Sequence, residues 1–223
     1  MAIAYSDQAS RGDGPQTARG QRTRSAVLTA ARRPFETRGY VDTRVADITR
    51  QAKVSYGSFY TYFPSKEAVF AEVVEGMIED FRATVRAEPA PGSTPGDLIA
   101  RTNRGYLRAY RENAAMMAIL EQTATFNADL MAIRREARTS WIMSASRAIR
   151  RWQDDGLVAS WVDPYYAASA LGSMVDRSAY VWLVLGEPYD EDTAVDQLTA
   201  LYCGALGLAY APKLADGGEP AQR

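Results

Sequence analysis

The chain has no histidine and a single cysteine, Cys203, among its 223 residues. The lack of histidine excludes a Ser–His–Asp triad, histidine-dependent acid–base catalysis and a conventional zinc site. A lone cysteine cannot form an intramolecular disulfide, which fits a reducing compartment, so we expect a cytoplasmic protein. No apolar run is long enough to span a bilayer. Because nucleophile elbows, phosphate loops and metal-ligand clusters are also missing, we predict no catalytic residue, no metal and no cofactor.

The net charge of −1 conceals an uneven distribution along the chain. Residues 1–66 carry eleven Lys and Arg against five Asp and Glu, whereas residues 67–223 carry fifteen against twenty-two. A basic N-terminal third beside an acidic remainder is typical of a DNA-binding head joined to a ligand-binding body. Chance clustering is the weaker explanation, because the change of sign coincides with the end of a sequence motif.

That motif, residues 43–66, predicts two short helices joined by a tight turn and followed by the start of a third helix. Thr43 is a suitable N-cap for the first of these helices. Three apolar residues then recur at helical spacing: Val45, Ile48 and Ala52. Ser55 is the next suitable N-cap, and Pro64 ends the second helix because the residue before a proline avoids the α region.

The second short helix carries an unusual set of polar and aromatic residues, YGSFYTY at positions 56–62. Phe59 and Phe63, four residues apart, are expected to point inward, which leaves the tyrosines at or near the surface. Hydroxyl groups and backbone N–H groups are common partners of phosphate oxygens. Gly57 lacks a Cβ and allows the backbone to approach a partner closely. An alternative interpretation is that the aromatic residues are simply core and that the glycine marks a strained turn.

The stretch from Arg22 to Phe70 resembles the N-terminal DNA-binding domain of the TetR family of bacterial transcriptional repressors. The resemblance covers about a quarter of the chain and depends on many positions at fixed spacing: Ala30, Ala31, Phe35, Gly39, Tyr40, Thr43, Val45, Ile48, Ala52, Val54, Ser55, Gly57, Phe59, Tyr60, Tyr62, Phe63, Lys66 and Glu67. The rest of the chain is similar only in being helical and of suitable length.

The motif and the resemblance together predict which residues contact DNA. Tyr60, Tyr62 and Lys66 are expected to bind phosphates, and Arg44, Ser55, Tyr56 and Ser58 to face base edges or the nearby backbone. The complete predicted set is Thr43, Arg44, Ser55, Tyr56, Gly57, Ser58, Tyr60, Tyr62 and Lys66. The partner would be a double-stranded operator of two inverted half-sites, about 34–36 Å apart.

Pro34 departs from the family pattern, because it lies where the first helix normally continues. A proline there removes one backbone hydrogen bond and crowds the carbonyl of Ala30. We therefore predict a kink or a local break in the first helix around residues 30–34.

The predicted fold is all-α, with about nine helices. An N-terminal three-helix helix-turn-helix DNA-binding domain precedes a C-terminal helical domain for ligand binding and dimerisation. The predicted divisions are a disordered arm at 1–18, the DNA-binding domain at 19–66, the helical domain at 67–210 and a flexible tail at 211–223. After an apolar stripe that runs from Val69 to Phe81, residues 88–97 are predicted to form a loop rich in proline and glycine. Further helices are then predicted at about 98–110, 114–123, 127–153, 164–185 and 191–210.

The last two predicted helices are rich in small and apolar residues, which allow helices to approach closely. The resemblance implies that this pair packs against its two-fold mate, so we predict a homodimer. An ordinary monomeric core is the alternative.

The middle helices carry methionines and aromatic residues that suit an irregular apolar guest. The predicted ligand-binding residues are Met77, Phe81, Tyr106, Tyr110, Met117, Leu120, Phe126, Trp141, Met174, Asp176 and Tyr180. Each of them could instead be a core residue in a protein without a cavity, because such residues are mostly buried in any protein. Possible polar anchors are Asn103, Glu121, Asn127, Asp176 and Arg177. A buried Asp176 requires a partner, which could be found across the dimer.

The sequence therefore predicts a ligand-responsive transcriptional regulator, most simply a repressor that a small hydrophobic or amphipathic effector releases from its operator. One alternative is a DNA-binding activator that needs no ligand. Another is a small all-helical enzyme, which nothing in the sequence supports strongly.

Overall fold

The computed structural model describes residues 17–86 and 92–212 of the chain. The predicted all-α fold is confirmed, because these residues form nine helices and no strand. The helices are α1 (Ala18–Asp42), α2 (Val45–Ala52), α3 (Tyr56–Tyr62), α4 (Lys66–Val85), α5 (Pro95–Glu112), α6 (Ala114–Thr123), α7 (Ala128–Asp154), α8 (Pro164–Leu183) and α9 (Glu191–Leu206). The predicted arm and tail lie almost wholly outside the described residues. No helix in the described ranges is long and apolar enough to cross a membrane.

Two compact units make up the chain, Met1–Val73 and Val74–Arg223. The boundary between them lies inside α4, after Val73, rather than after Lys66 where the sequence placed the end of the DNA-binding domain. The first turns of α4 therefore belong to the N-terminal unit, and its remaining turns belong to the C-terminal unit.

Aromatic side chains form much of the core of the N-terminal unit. Phe35 and Phe70 meet edge to face with ring centroids 4.7 Å apart, and Tyr40 lies 4.9 Å from Phe70. Phe59 of α3 is fully buried, and Phe63, directly after α3, is almost fully buried. The predicted inward direction of these two phenylalanines is therefore confirmed. Burying them holds in place a helix of only seven residues, which is too short to be stable alone.

The predicted break around residues 30–34 is wrong. Pro34 lies inside α1, and the one residue of α1 with non-helical dihedral angles is Gly39, at φ 75° and ψ 176°. Pro34 and Phe35 are both buried, so packing against the core offsets the hydrogen bond that the proline cannot donate. The break occurs at Gly39 because a glycine reaches a positive φ without a steric penalty.

Thr43 is not the N-cap of α2, so that part of the prediction is also wrong. Arg44 occupies the cap position, and the carboxylate of Asp47 accepts a hydrogen bond from the Arg44 backbone N–H at 3.1 Å. The Thr43 side chain is buried instead. Its hydroxyl lies 3.0 Å from the Pro34 carbonyl oxygen and 2.6 Å from that of Gly39. Thr43 thus stabilises the end of α1, and its hydroxyl is not available to a phosphate.

Replacing Thr43 with valine should destabilise the N-terminal unit by about 1–3 kcal/mol, because two carbonyls lose their buried donor while the shape of the side chain is kept. Urea unfolding followed by circular dichroism would measure the change. Thr61→Val is the matched control, because the exposed Thr61 hydroxyl bonds only to a carbonyl of its own helix. Equal stability of the two variants would contradict the structural role of Thr43.

Local capping determines most helix ends in the C-terminal unit. Thr94 accepts a hydrogen bond from the Asp97 N–H at 3.1 Å, so α5 begins at Pro95, inside the segment predicted as a loop. Asp163 caps α8 with Pro164 at the first helical position, as predicted. Gly207, with φ 71°, ends α9 at Leu206 rather than at Tyr210. Residues 88–91, also predicted as loop, lie outside the described ranges.

Two apolar clusters fill the C-terminal unit. One joins α5, α7, α8 and α9 and includes the fully buried Ile149 and the almost fully buried Cys203. The other joins the later turns of α4 to α5, α8 and α9 around Phe81, Leu107 and Tyr110. Burial raises the pKa of the Cys203 thiol to about 11, so this cysteine is a packing residue rather than a reactive one.

Candidate DNA-binding surface and ligand cavity

Helix α3 presents hydroxyl groups at its surface. Ser55 is its N-cap, as predicted, and its Oγ accepts a hydrogen bond from the Ser58 N–H at 3.1 Å. Tyr56 is 51% exposed and Tyr60 is 52% exposed, although both side chains are large and partly apolar. Tyr62 is half-buried. The side chains of Tyr56 and Tyr60 are therefore accessible on one side of α3, while Phe59 is buried on the other side.

Gly57 has no internal reason to be a glycine. It lies in the first turn of α3, and its φ is not in the left-handed region. The nearest side-chain or non-local backbone atom to an added Cβ would be the Ser55 Oγ, at 3.9 Å, which is ordinary contact. A larger residue would therefore fit at this position within the described chain.

Exposed basic side chains lie next to α3 in the sequence. Arg44 is exposed at the start of α2, and Arg50 and Lys53 are exposed at its end. Asp47 is the nearby acid, and only 11% of its side chain is exposed because it faces Arg38 at 3.6 Å and Arg50 at 3.4 Å. The accessible charge of α2 is therefore positive. Arg50 and Lys53 were missing from the predicted contacts, although their basic character was visible in the sequence.

Lys66 has an internal role that the prediction did not include. Its Nζ donates to the carbonyl oxygens of Tyr40 at 2.8 Å and Val41 at 3.3 Å, and it lies 4.6 Å from the centre of the Tyr40 ring. The Tyr40 hydroxyl donates to Glu67 at 3.1 Å. Burial, the charge of Glu67 and this hydrogen bond raise the pKa of Tyr40 to about 12. Lys66 thus satisfies the carbonyls at the end of α1, and its predicted contact with a phosphate stays a prediction that would have to use its third N–H.

The C-terminal unit contains a cavity of about 200 Å³. Its wall includes residues of α4, α5, α6, α7 and α8, together with Tyr202 of α9. Most of the lining is apolar, with a few charged and hydrogen-bonding groups among it. An apolar cavity with a small number of polar groups is the usual form of a small-molecule site.

Six of the predicted ligand-binding residues lie on the wall of the cavity. They are Phe81, Tyr106, Met117, Leu120, Trp141 and Asp176. Asn103 and Glu121, both named as possible polar anchors, also line it, whereas Asn127 and Arg177 do not.

Five predicted ligand-binding residues do not line the cavity. Phe126 is 65% exposed, so its assignment is wrong. Met77 and Tyr110 are buried in the core, and Met174 and Tyr180 pack against it. The next residues after Met77 and Met174, Ile78 and Val175, line the cavity instead, because one residue turns a helix by about 100°.

Sequence reasoning missed two arginines on the cavity wall. Arg134 forms an ion pair with Glu121, with 2.7 Å between the Arg134 Nε and the carboxylate oxygen. Arg138 is exposed and donates from Nη2 to the hydroxyls of Ser169 and Ser173 at 3.0 and 2.9 Å. Both arginines lie on the polar side of the α7 pattern, where apolar periodicity predicts no ligand contact.

Asp176 has an internal partner in Tyr106. The Tyr106 hydroxyl donates to the Asp176 carboxylate at 2.6 Å, whereas Arg177 lies over the ring of Tyr180 at 4.6 Å. Burial, followed by the charge of Asp176 and this hydrogen bond, raises the pKa of Tyr106 well above its ordinary value. The tyrosine therefore stays protonated and remains a donor.

Comparisons with known proteins agree with these observations. Residues 27–73 match the model of the bacterial regulatory proteins of the tetR family. The chain is 43% identical over 68 residues to the HTH-type transcriptional regulator YdgC of Bacillus subtilis, a match that covers 30% of this chain and 33% of that protein. It is 24% identical over 191 residues to the HTH-type transcriptional regulator EthR of Mycolicibacterium smegmatis, which covers 84% of this chain and 87% of EthR.

A solved structure extends the likeness to the fold of most of the chain. It is that of a transcriptional regulator from Saccharomonospora viridis in complex with choline, with a TM-score of 0.70 and 20% identity. The match covers 81% of this chain and 95% of that one.

The short helix α3 lies on a buried aromatic core, and a separate helical unit follows it in the chain. These features define a helix-turn-helix transcriptional regulator. By the match reported above, residues 27–73 belong to the tetR family of these regulators.

Proposed function

We propose that the protein is a repressor that binds an inverted-repeat operator as a homodimer in the cytoplasm and leaves it when a small organic effector enters the cavity. The observation that carries the DNA half of this proposal is the exposure of Tyr56 and Tyr60 on a helix whose opposite side is fixed by the buried Phe59. A water-exposed aromatic pair with free hydroxyls suits a phosphate backbone better than it suits solvent.

The surroundings of α3 support the same interpretation. Gly57 fits a close approach by another backbone, because nothing in the described chain excludes a larger residue there. We assign Tyr60 and Tyr62 to phosphates, and Arg44, Ser55, Tyr56 and Ser58 to base edges or the adjacent backbone. Arg50 and Lys53 add positive charge near this surface, which attracts the duplex without regard to sequence.

The proposed dimer uses exposed parts of α8 and α9. Leu201 is 59% exposed on α9, and Gly204 and Ala205 are exposed near it in the sequence. Ala170 and Gly172 are exposed on α8. Small residues around an exposed leucine allow two helices to pack closely, and a two-fold dimer matches the symmetry of an inverted repeat.

The proposed response to an effector depends on α4. Phe70, in its first turns, is fully buried in the core of the N-terminal unit, and Ile78, Phe81 and Val85, in its later turns, line the cavity. One continuous helix therefore contributes to both the DNA-binding unit and the effector site. A guest that prefers a different position of α4 would lower the affinity for the operator by the same factor as the operator lowers the affinity for the guest.

Small-molecule binding has further support. The structural relative from Saccharomonospora viridis was solved with choline, and the cavity weighs against the alternative of a regulator that needs no ligand.

Mobility shifts on the DNA upstream of the protein's own gene test the DNA half of the proposal. Tyr60→Phe should weaken binding to all sequences about three- to tenfold, because a single phosphate hydrogen bond is lost. Arg44→Ala should relax the preference between operator and unrelated DNA. The control is Tyr166→Phe, in an exposed tyrosine of the C-terminal unit. If the wild-type dimer ignores duplex DNA even at low ionic strength, the proposed function is wrong.

A further inference from the structure

Three aromatic rings form a corner in the wall of the cavity. Phe81 and Tyr106 meet at 70° with centroids 5.1 Å apart. Trp141 stands at 82° to Phe81 and at 83° to Tyr106, with centroids 6.1 Å away in both cases. The three ring planes are thus close to mutually perpendicular, and all three residues line the same cavity. Rings arranged in this way can present several negative π faces to one guest.

A carboxylate without a cationic partner lies in the same wall. Among the described residues, no Lys or Arg forms an ion pair with Asp176, whose one hydrogen-bond partner is the neutral hydroxyl of Tyr106. Glu121, the other acid of the wall, is neutralised by Arg134. A charge placed in a mostly apolar cavity is costly unless it meets an opposite charge.

The remaining charged group of the wall is Arg138. Its guanidinium is exposed, and its Nη2 is already used by the hydroxyls of Ser169 and Ser173. Ser173 precedes Asp176 by about one turn of α8, so Arg138 offsets part of the negative charge but is screened by water. The aromatic corner and the half-buried Asp176 therefore favour a positive guest over a negative one.

We propose that the cavity binds a small organic cation, a primary or quaternary ammonium with a compact apolar body, with Asp176 as counter-ion and Phe81, Tyr106 and Trp141 around the charge. This inference names the effector class of the proposed repressor and rests on that function. The volume of about 200 Å³ favours a compact guest, because pockets for drug-sized ligands are roughly 300–1,000 Å³.

Three benzyl compounds of different charge test the ligand class by isothermal titration calorimetry on the full chain without DNA. They are benzyltrimethylammonium, benzyl alcohol and phenylacetate. The cation should bind at least tenfold more tightly than either of the others. Tighter binding of the alcohol or of phenylacetate, or the absence of binding by all three at millimolar concentration, would overturn the assignment.

Variants that remove either a negative or a positive side chain from the cavity wall test which residue binds the charge of the guest. Asp176→Asn keeps the shape and an acceptor for Tyr106 but should weaken binding of the cation at least tenfold. Arg138→Gln should strengthen it about two- to fivefold, because a competing positive charge is removed. Trp141→Leu should weaken it severalfold through the loss of one π face. An effect of Asp176→Asn equal on all three probes would show a structural role instead and would contradict the proposal.

Asp196→Asn provides the matched control. Asp196 accepts a hydrogen bond from the Tyr210 hydroxyl at 2.9 Å, the same pairing as that of Asp176 and Tyr106, but it is not on the cavity wall. This variant should bind benzyltrimethylammonium as the wild type does. If Asp196→Asn lost as much affinity as Asp176→Asn, the loss of either Tyr–Asp hydrogen bond would be enough to disturb the C-terminal unit. That result would overturn the role of Asp176 as counter-ion.

Mobility shifts with and without the three probes separate the two proposals. If the protein binds its operator and a neutral or anionic probe alone releases it, the repressor function stands and the cation inference fails. If benzyltrimethylammonium binds with the expected charge dependence but the protein never binds DNA, the repressor function fails and the site keeps its assignment. Release of the operator by the cation, lost in Asp176→Asn, is the result that both proposals expect.

Discussion

Replacing Phe59 with alanine is expected to destabilise the N-terminal unit by about 3–5 kcal/mol, the usual cost of removing a fully buried phenylalanine. Phe59 is fully buried, and its ring centroid lies 5.2 Å from that of Tyr60 and 5.8 Å from that of Phe63. Helix α3 has seven residues, so it depends on this burial rather than on its own hydrogen bonds. Binding to duplex DNA should fall with the order of the helix.

Hydrogen exchange resolved by segment, together with urea unfolding, would measure this effect. Amides of α3 should lose protection in Phe59→Ala, while those of α7 and α8 keep theirs, because the residues belong to different units. Phe126→Ala is the control, since Phe126 is 65% exposed and its replacement should cost less than about 1 kcal/mol. If the amides of α3 kept their protection from exchange in Phe59→Ala, and the affinity for DNA were unchanged, the packing of this ring would not be what holds the exposed side of α3 in place.

Replacing Leu201 with glutamate is expected to separate the proposed dimer and to lower operator affinity at least hundredfold. A buried, unpaired carboxylate at the centre of an interface is costly, and a monomer loses the gain of binding its second half-site intramolecularly, which typically amounts to 10²–10⁴. Leu201 is already 59% exposed in the single chain, so the fold itself should tolerate the change.

Sedimentation equilibrium and mobility shifts on the same samples would test this prediction. Met143→Glu introduces the same charge at an exposed apolar residue of α7 and should leave both mass and affinity unchanged. If Leu201→Glu sediments as a dimer, the contact between subunits lies elsewhere. If it is monomeric and yet binds the operator as tightly as the wild type, the protein does not read two half-sites together.

The sequence predicted best where a local pattern has one structural solution. The spacing of Phe59 and Phe63 can bury both rings on one side of a short helix, and the structure has them buried. Ser55 before α3 and Asp163 with Pro164 at α8 are similar cases, because capping depends on neighbouring residues alone.

Predictions that depended on tertiary contacts were less accurate. Pro34 stays within α1 because it is buried against the core. Thr43 does not cap α2 because its hydroxyl donates to carbonyl oxygens up to nine residues earlier in the chain. The cavity shows the same limit. Apolar periodicity identified the right helices, but whether Met77 or Ile78 faces the space depends on a rotation of α4 that only its packing determines.

Lys66 joins the start of α4 to the end of α1, because its Nζ donates to the carbonyl oxygens of Tyr40 and Val41. In the sequence, α2 and α3 lie between those two helices. One side chain therefore closes the segment that carries the helix-turn-helix, and the ends of that segment cannot separate without breaking its two hydrogen bonds.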